Sequence, residues 1–178
     1  VESKHVEIYI VDIRDFSDNK YKQIDDTPFG GGDGMVLMAG PLIRSIESSL
    51  ELLSSNINDT HIVYPSPHGH KWTQEEVEKN IGVDNFIFIC GRYKGVDQRV
   101  IDKYVTHEYS IGDYVVSNGE LSSLVMIDSI VRLNPGTLNN INSAKTDSFS
   151  SALLDYPHYT KPRTIDGLSV PQVLLEGH

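Results

Sequence analysis

Four groups of residues in this chain have types and spacings that could carry chemistry. The first is Phe29–Gly34 (FGGGDG). Consecutive glycines let backbone N–H groups approach an anion closely. No Lys-Ser/Thr pair follows, so it is not a Walker loop, and the G-x-G-x-x-G spacing of a dinucleotide fingerprint is absent. A tight turn before a packed segment would explain it equally well. The second is His68 and His70 (HGH). A credible metal site needs three or four ligands. No carboxylate or cysteine adjoins the pair in sequence, so solvated loop histidines are expected. The third is Cys90, which ends an apolar run before GRYKG. A nucleophile there would need a base beside it, and its apolar neighbours point to a buried, inert thiol. The fourth comprises two isolated charges. Asp147 lies in SAKTDSFS, where Asp is usually a turn former or cap. Arg132 closes a helical pattern, where a cation favours the helix dipole.

The elements that must position these residues alternate along the chain. Val6–Val11 (VEIYIV) has the period-2 pattern of a strand. Asp12–Gly34 reads as a loop. Pro41–Ser54 reads as a helix, with Ile43, Ile46, Leu50 and Leu53 at spacings of three and four and Pro41 in the first turn. His61–Tyr64 is a short buried-strand candidate, and Ser66–Trp72 a Pro/Gly loop. Thr73 with Glu76 forms a capping box that starts a short helix. Asn85–Cys90 (NFIFIC) is the strongest strand signal. A helix is expected over Asp97–Tyr104, a Gly-bearing turn region over Ser110–Glu120, and a helix over Leu121–Leu133. Asn134–Ser151 reads as a long loop, and the Pro-rich stretch after Leu154 as extended surface chain. Strand–helix alternation predicts an α/β fold with a mostly parallel sheet flanked by helices. Ligands bind such sheets outside the carboxyl ends of the strands. Pro65–Trp72, Gly91–Val96 and Ser110–Glu120 fall at that edge.

Composition sets the bounds. With 178 residues, 39% hydrophobic and 22% charged, the chain suits one globular domain, and collagen-like, low-complexity and largely disordered classes are excluded. Fifteen Lys+Arg against 25 Asp+Glu give a net charge of −10, a poor balance for generic phosphate binding, although charge clustering is a separate matter. No apolar run approaches the ~20 residues of a membrane span, so no membrane partner is expected. A single cysteine excludes an internal disulfide and suits a reducing, cytoplasmic setting. The chain begins at Val1 without a signal-peptide pattern or initiator Met, which suits a segment of a longer protein.

Five segments occur in an order that resembles one known family. They are FGGGDGM (Phe29–Met35), YPSPHG (Tyr64–Gly69), CGRYKGVDQRV (Cys90–Val100), SIGDYVVSNGEL (Ser110–Leu121) and DSFSSALLDYPHYTKP (Asp147–Pro162). Together they are similar to the bacterial tRNA (guanine-N1)-methyltransferases of the knotted SPOUT superfamily, over nearly the whole chain. The resemblance implies an α/β fold with a deep C-terminal trefoil knot, which pattern reading would never supply. It implies a homodimer with shared active sites. The reaction it implies is methyl transfer from S-adenosyl-L-methionine to N1 of the guanosine 3′-adjacent to the tRNA anticodon. Residues 1–160 would form the catalytic domain and 161–178 the start of an interdomain linker.

The resemblance also assigns roles. Asp147 matches the family base that takes the guanine N1 proton. Arg132 matches the arginine that stabilises charge developing on O6. Tyr64, Pro65, Ser66, Pro67 and His68 match the first cofactor loop. Gly91, Arg92, Tyr93 and Gly95 match the second, and Ser110, Ile111, Gly112, Asp113, Tyr114, Val115, Val116, Ser117, Asn118 and Gly119 the third. Gly30, Gly31, Gly32 and Gly34 would line the guanosine side.

Several positions depart from the family pattern. Its N-terminal strand is absent before Val6, and its basic tRNA-gripping domain is absent after His178. Lys94 stands where the family has an acid tied to the cofactor's methionine end and to magnesium, so magnesium is a second cofactor that the resemblance raises and Lys94 counts against. Asn118 replaces a Gly and Ser122 a Pro, while His68 and His70 replace Gln and Arg. The alternative to an enzyme is a module of the same fold that binds S-adenosylmethionine or RNA without turnover; retention of both Asp147 and Arg132 favours the enzyme. A related methyltransferase acting on another RNA nitrogen and a metal hydrolase built on HGH rank lower.

Overall fold

The chain was analysed as a computed structural model, which describes residues 6–137, 148–149 and 154–176. These fall into two compact units, Val1–Ile141 and Asn142–His178. The first unit is built on a three-stranded parallel sheet. β3 (His61–Lys71) lies in the centre, between β4 (Phe86–Phe88) and β5 (His107–Ser110). A small antiparallel pair, β1 (Asp25–Asp26) and β2 (Val36–Leu37), brackets the glycine run.

Side chains alternate across β3 because successive strand residues face opposite ways. Ile62 and Tyr64 join one core cluster with Leu37, Leu42, Ile46, Ile89, Val100 and Tyr104. These residues bring in α1 (Ala39–Leu52) and α3 (Gln98–Tyr104). Val63 faces the other way, with Tyr109 and Met126, and Trp72, Phe86 and Phe88 pack around them. That second face is covered by α4 (Gly119–Val131), which also touches α2 (Gln74–Lys79). A parallel sheet with helices on both faces is the expected α/β arrangement.

The caps follow the sequence closely. The Thr73 hydroxyl accepts the Glu76 N–H, as the capping box requires. Asp97 caps α3 by accepting the Arg99 N–H. Pro41 sits in the first turn of α1, where its missing N–H is harmless.

Three expectations are corrected. Val6–Val11 has no strand partner among the described residues, and Ile8 and Ile10 stand 58% and 94% exposed. Its alternation is real, but pairing is a tertiary property. Ser66–Trp72 is not simply a loop, since β3 runs on to Lys71 with a register jump: Tyr109 aligns with both Pro65 and His70. β5 was not foreseen as a strand, because HEYS buries only Tyr109 at an edge position.

The second unit holds a hairpin of β6 (Thr164–Ile165) and β7 (Leu168–Ser169), then a short 3₁₀ turn at Gln172–Leu174. Asp166 and Gly167 both take positive φ. This is the two-residue hairpin turn that an Asp-Gly pair favours. No helix among the described residues is long and apolar enough to cross a membrane.

Candidate functional site

A cavity of about 200 Å³ lies at the carboxyl ends of β3, β4 and β5. β3 contributes Tyr64, Pro65, Ser66 and Pro67. The turn after β4 contributes Gly91, Arg92, Tyr93, Lys94 and Gly95. The segment from the end of β5 contributes Tyr109 to Gly112 and Tyr114 to Gly119, and Ser122 follows on α4. The three loops placed at this edge by sequence therefore do meet in one concavity. His68 and Asp113 belong to the same loops but do not line it. Lys94, Tyr109 and Ser122 line it without having been assigned there. Their signal was available, since each adjoins or interrupts an assigned run.

The wall is held by close backbone contacts. Tyr64 is buried, and its ring lies against Gly91 and Gly95: a Cβ on either glycine would sit 3.2 or 3.1 Å from the phenol oxygen. Burial pushes the Tyr64 phenol above its ordinary pKa, so it stays protonated. Gly119 opens α4 against the Cys90–Gly91 backbone, where a Cβ would lie 2.7 Å from the Gly91 nitrogen. Its N–H donates to the Gly91 carbonyl at 2.9 Å. Only glycine permits this approach. The turn between Arg92 and Gly95 closes through the Gly95 N–H to the Arg92 carbonyl at 3.0 Å and places Tyr93 at φ 58°. A tyrosine in the left-handed region costs about 1–3 kcal/mol and commonly marks a functional loop. The Tyr114 ring folds over Gly112, its hydroxyl donating to the Ile111 carbonyl at 3.2 Å.

The glycine run lies next to this turn. Gly30, Gly31, Gly32 and Gly34 all have positive φ, and Cβ atoms on the first three would meet open space. Glycine is needed there for backbone conformation rather than for room. Gly34 is overlain by the Lys94 stem, and the Lys94 N–H donates to the Met35 carbonyl at 3.0 Å. Leu37 and Val96 form a parallel bridge beside it.

Among the described residues the cavity lining contains no Asp or Glu and two cations, Arg92 and Lys94. Arg92 pairs with Glu120 at 3.0 Å. Serine hydroxyls, backbone amides and the apolar Ile111, Val115 and Val116 make up much of the remainder. Such a lining suits a neutral heterocycle and sugar held by backbone groups. Cys90 sits behind the wall with its sulfur 3.5 Å from the Ser123 hydroxyl. Burial pushes its thiol pKa up, as expected of an inert cysteine.

The two residues expected to do chemistry are placed differently. Arg132 caps the far end of α4. Thirteen helical residues separate it from the cavity wall at Gly119, or about 20 Å at 1.5 Å per residue. Asp147 lies outside the described residues.

Comparison with known proteins agrees with this arrangement. The family model described as tRNA (Guanine-1)-methyltransferase TrmD matches residues 1–178. A tRNA (guanine-N(1)-)-methyltransferase of Clostridioides difficile is 47% identical over 178 residues, covering 100% of this chain and 76% of that protein. Proteins of the same name from Buchnera aphidicola and Shewanella woodyi are 48% and 49% identical over 165 residues. These matches cover 93% of this chain and 62% and 65% of the two relatives.

Proposed function

This chain belongs to the tRNA (guanine-1)-methyltransferase family, and from that membership we propose that it methylates N1 of the guanosine 3′-adjacent to the tRNA anticodon, in the cytoplasm, with S-adenosyl-L-methionine as donor. The donor, when bound, supplies a methyl group already activated on a sulfonium. The chain's own work is then positioning, proton removal and charge stabilisation. The cavity fits the donor's nucleoside, with backbone groups and serines for hydrogen bonding and apolar side chains for the base.

Guanine N1 holds a proton and is a weak nucleophile until it is lost. Asp147 would accept that proton as N1 attacks the methyl carbon. The Arg132 guanidinium would stabilise negative charge gathering on O6. The FGGGDG loop, beside the cavity through Gly34 and Lys94, would seat the guanosine.

The observation that carries this reading furthest is the separation of Arg132 from the cavity. Cavity and arginine stand at opposite ends of α4. An arginine that acts on the guanosine must therefore serve another chain's cavity, which makes the active site a property of a homodimer. The outward face of α4 supports this, because Leu121, Leu124 and Val125 are each more than half exposed, as on a surface awaiting a partner. The same reading implies a deep trefoil knot. It is supported by the crossing at Gly69, where a Cβ would lie 2.4 Å from the Glu108 and Tyr109 backbone. In this account residues 1–160 are the catalytic domain and 161–178 begin the linker.

The test is Asp147→Ala in the full-length protein. Methyl transfer should be abolished while S-adenosylhomocysteine still binds at about one per chain. Unimpaired turnover would remove Asp147 as the base.

A further inference from the structure

The cavity wall has an unexpected sign. The chain carries a net charge of −10, yet the charged residues described in the lining are both cations. One is occupied, since Arg92 pairs with Glu120. The other, Lys94, makes no side-chain hydrogen bond or ion pair with any described residue. It is nevertheless held in place. Its backbone N–H is fixed to Met35, and its stem crosses Gly34, where a Cβ would come within 3.0 Å of Cγ and 3.2 Å of Cε. The ammonium group is thus carried at the seam between the cavity and the glycine run.

A magnesium ion does not fit this wall. Magnesium takes oxygen ligands in octahedral geometry, usually including a carboxylate, and the described lining offers none. The positive charge comes instead from the chain.

We propose that Lys94 binds the carboxylate at the amino-acid end of the cofactor, making it a specificity residue for that end and making cofactor binding independent of magnesium. This rests on the methyltransferase reading of the cavity. Loops that hold the nucleoside leave the amino-acid end to run along the same wall. A carboxylate meeting an unspent ammonium there gains a charge-assisted hydrogen bond. An uncharged ligand that stops at the thioether gains nothing from Lys94.

The test titrates the full-length protein with S-adenosylhomocysteine and with 5′-methylthioadenosine, which lacks the amino-acid end. Lys94→Ala should weaken the first by about tenfold, a typical loss for a hydrogen bond to a charged group, and leave the second unchanged. Lys94→Arg, which keeps the charge, should restore most of the loss. The wild-type affinity for S-adenosylhomocysteine should be the same in EDTA as in magnesium. Equal weakening of both ligands by Lys94→Ala would make Lys94 a structural residue and overturn the proposal. Unchanged affinity for both, with a raised KM for tRNA, would assign Lys94 to an RNA phosphate and also overturn it. Failure of the wild type to bind either ligand would instead sink the cofactor reading itself.

Discussion

Replacing Gly119 by Ala tests whether the cavity depends on close passage of backbone against backbone. The new Cβ would lie 2.7 Å from the Gly91 nitrogen and 2.9 Å from the Cys90 Cα. Neither neighbour can rotate away, because both are main chain. The start of α4 must therefore move several tenths of an ångström from the Gly91 turn. Overpacking of this kind costs about 1–3 kcal/mol. The 2.9 Å hydrogen bond from Gly119 to Gly91 would be lengthened, at up to about 1 kcal/mol. Because both sides of the contact are cavity wall, at least part of this should appear as lost ligand affinity. If about 1.4 kcal/mol falls on the site, binding weakens tenfold. The assay pairs urea denaturation with calorimetric titration of S-adenosylhomocysteine. Gly82→Ala is the control: Gly82 has φ 83° and open space around its Cβ position. It should cost about 1–2 kcal/mol of stability through backbone strain and leave affinity alone. A Gly119→Ala protein with wild-type stability and wild-type affinity would refute the argument.

Three further outcomes are expected. Asp97 caps α3 and pairs with Arg99, whose hydrogen bond holds the carboxyl below its ordinary pKa of 3.8. A depressed folded-state pKa gives stability that is present above the unfolded value and lost as pH falls through the folded one. Asp97→Ala should therefore cost about 1 kcal/mol at pH 7, with the gap to wild type closing below about pH 4 in urea melts; a constant gap would contradict this. Cys90 should resist iodoacetamide at pH 8 until the protein unfolds, given its buried thiol and raised pKa; rapid alkylation of the native protein would show the wall to be open behind the cavity. Leu124→Glu on the exposed face of α4 should convert a dimer to monomers in light scattering and abolish methyl transfer; an active dimer would place the interface elsewhere.

The site was more legible in the sequence than the sheet was. Its loops announce themselves through glycines, prolines and tyrosines whose spacing reflects backbone geometry, a local property. Gly91, Gly95, Gly112 and Gly119 all fell inside recognisable runs, and all line the cavity. Strand partners are not local. VEIYIV alternates like a strand, but alternation says only that a partner would be welcome. HEYS becomes β5 because β3 lies beside it, although its own pattern is nearly polar. The Asp166–Gly167 turn was readable in principle and was passed over within a Pro-rich stretch. Arg132 shows the opposite limit. Its spacing suggests only a helix end, and its expected role came from resemblance. The structure adds the reason for a second chain, since the length of α4 keeps that arginine from its own cavity. Lys94 was visible as a departure from a family pattern, but its meaning needed the composition of the wall around it.

The most direct test of the account is nucleoside mass spectrometry of tRNA incubated with the full-length protein and S-adenosylmethionine. The account predicts 1-methylguanosine in a tRNA with guanosine 3′-adjacent to the anticodon, and none when that guanosine is replaced by adenosine. A folded protein that binds S-adenosylhomocysteine but forms no 1-methylguanosine would contradict it, as would a methyl group found on another atom or nucleotide.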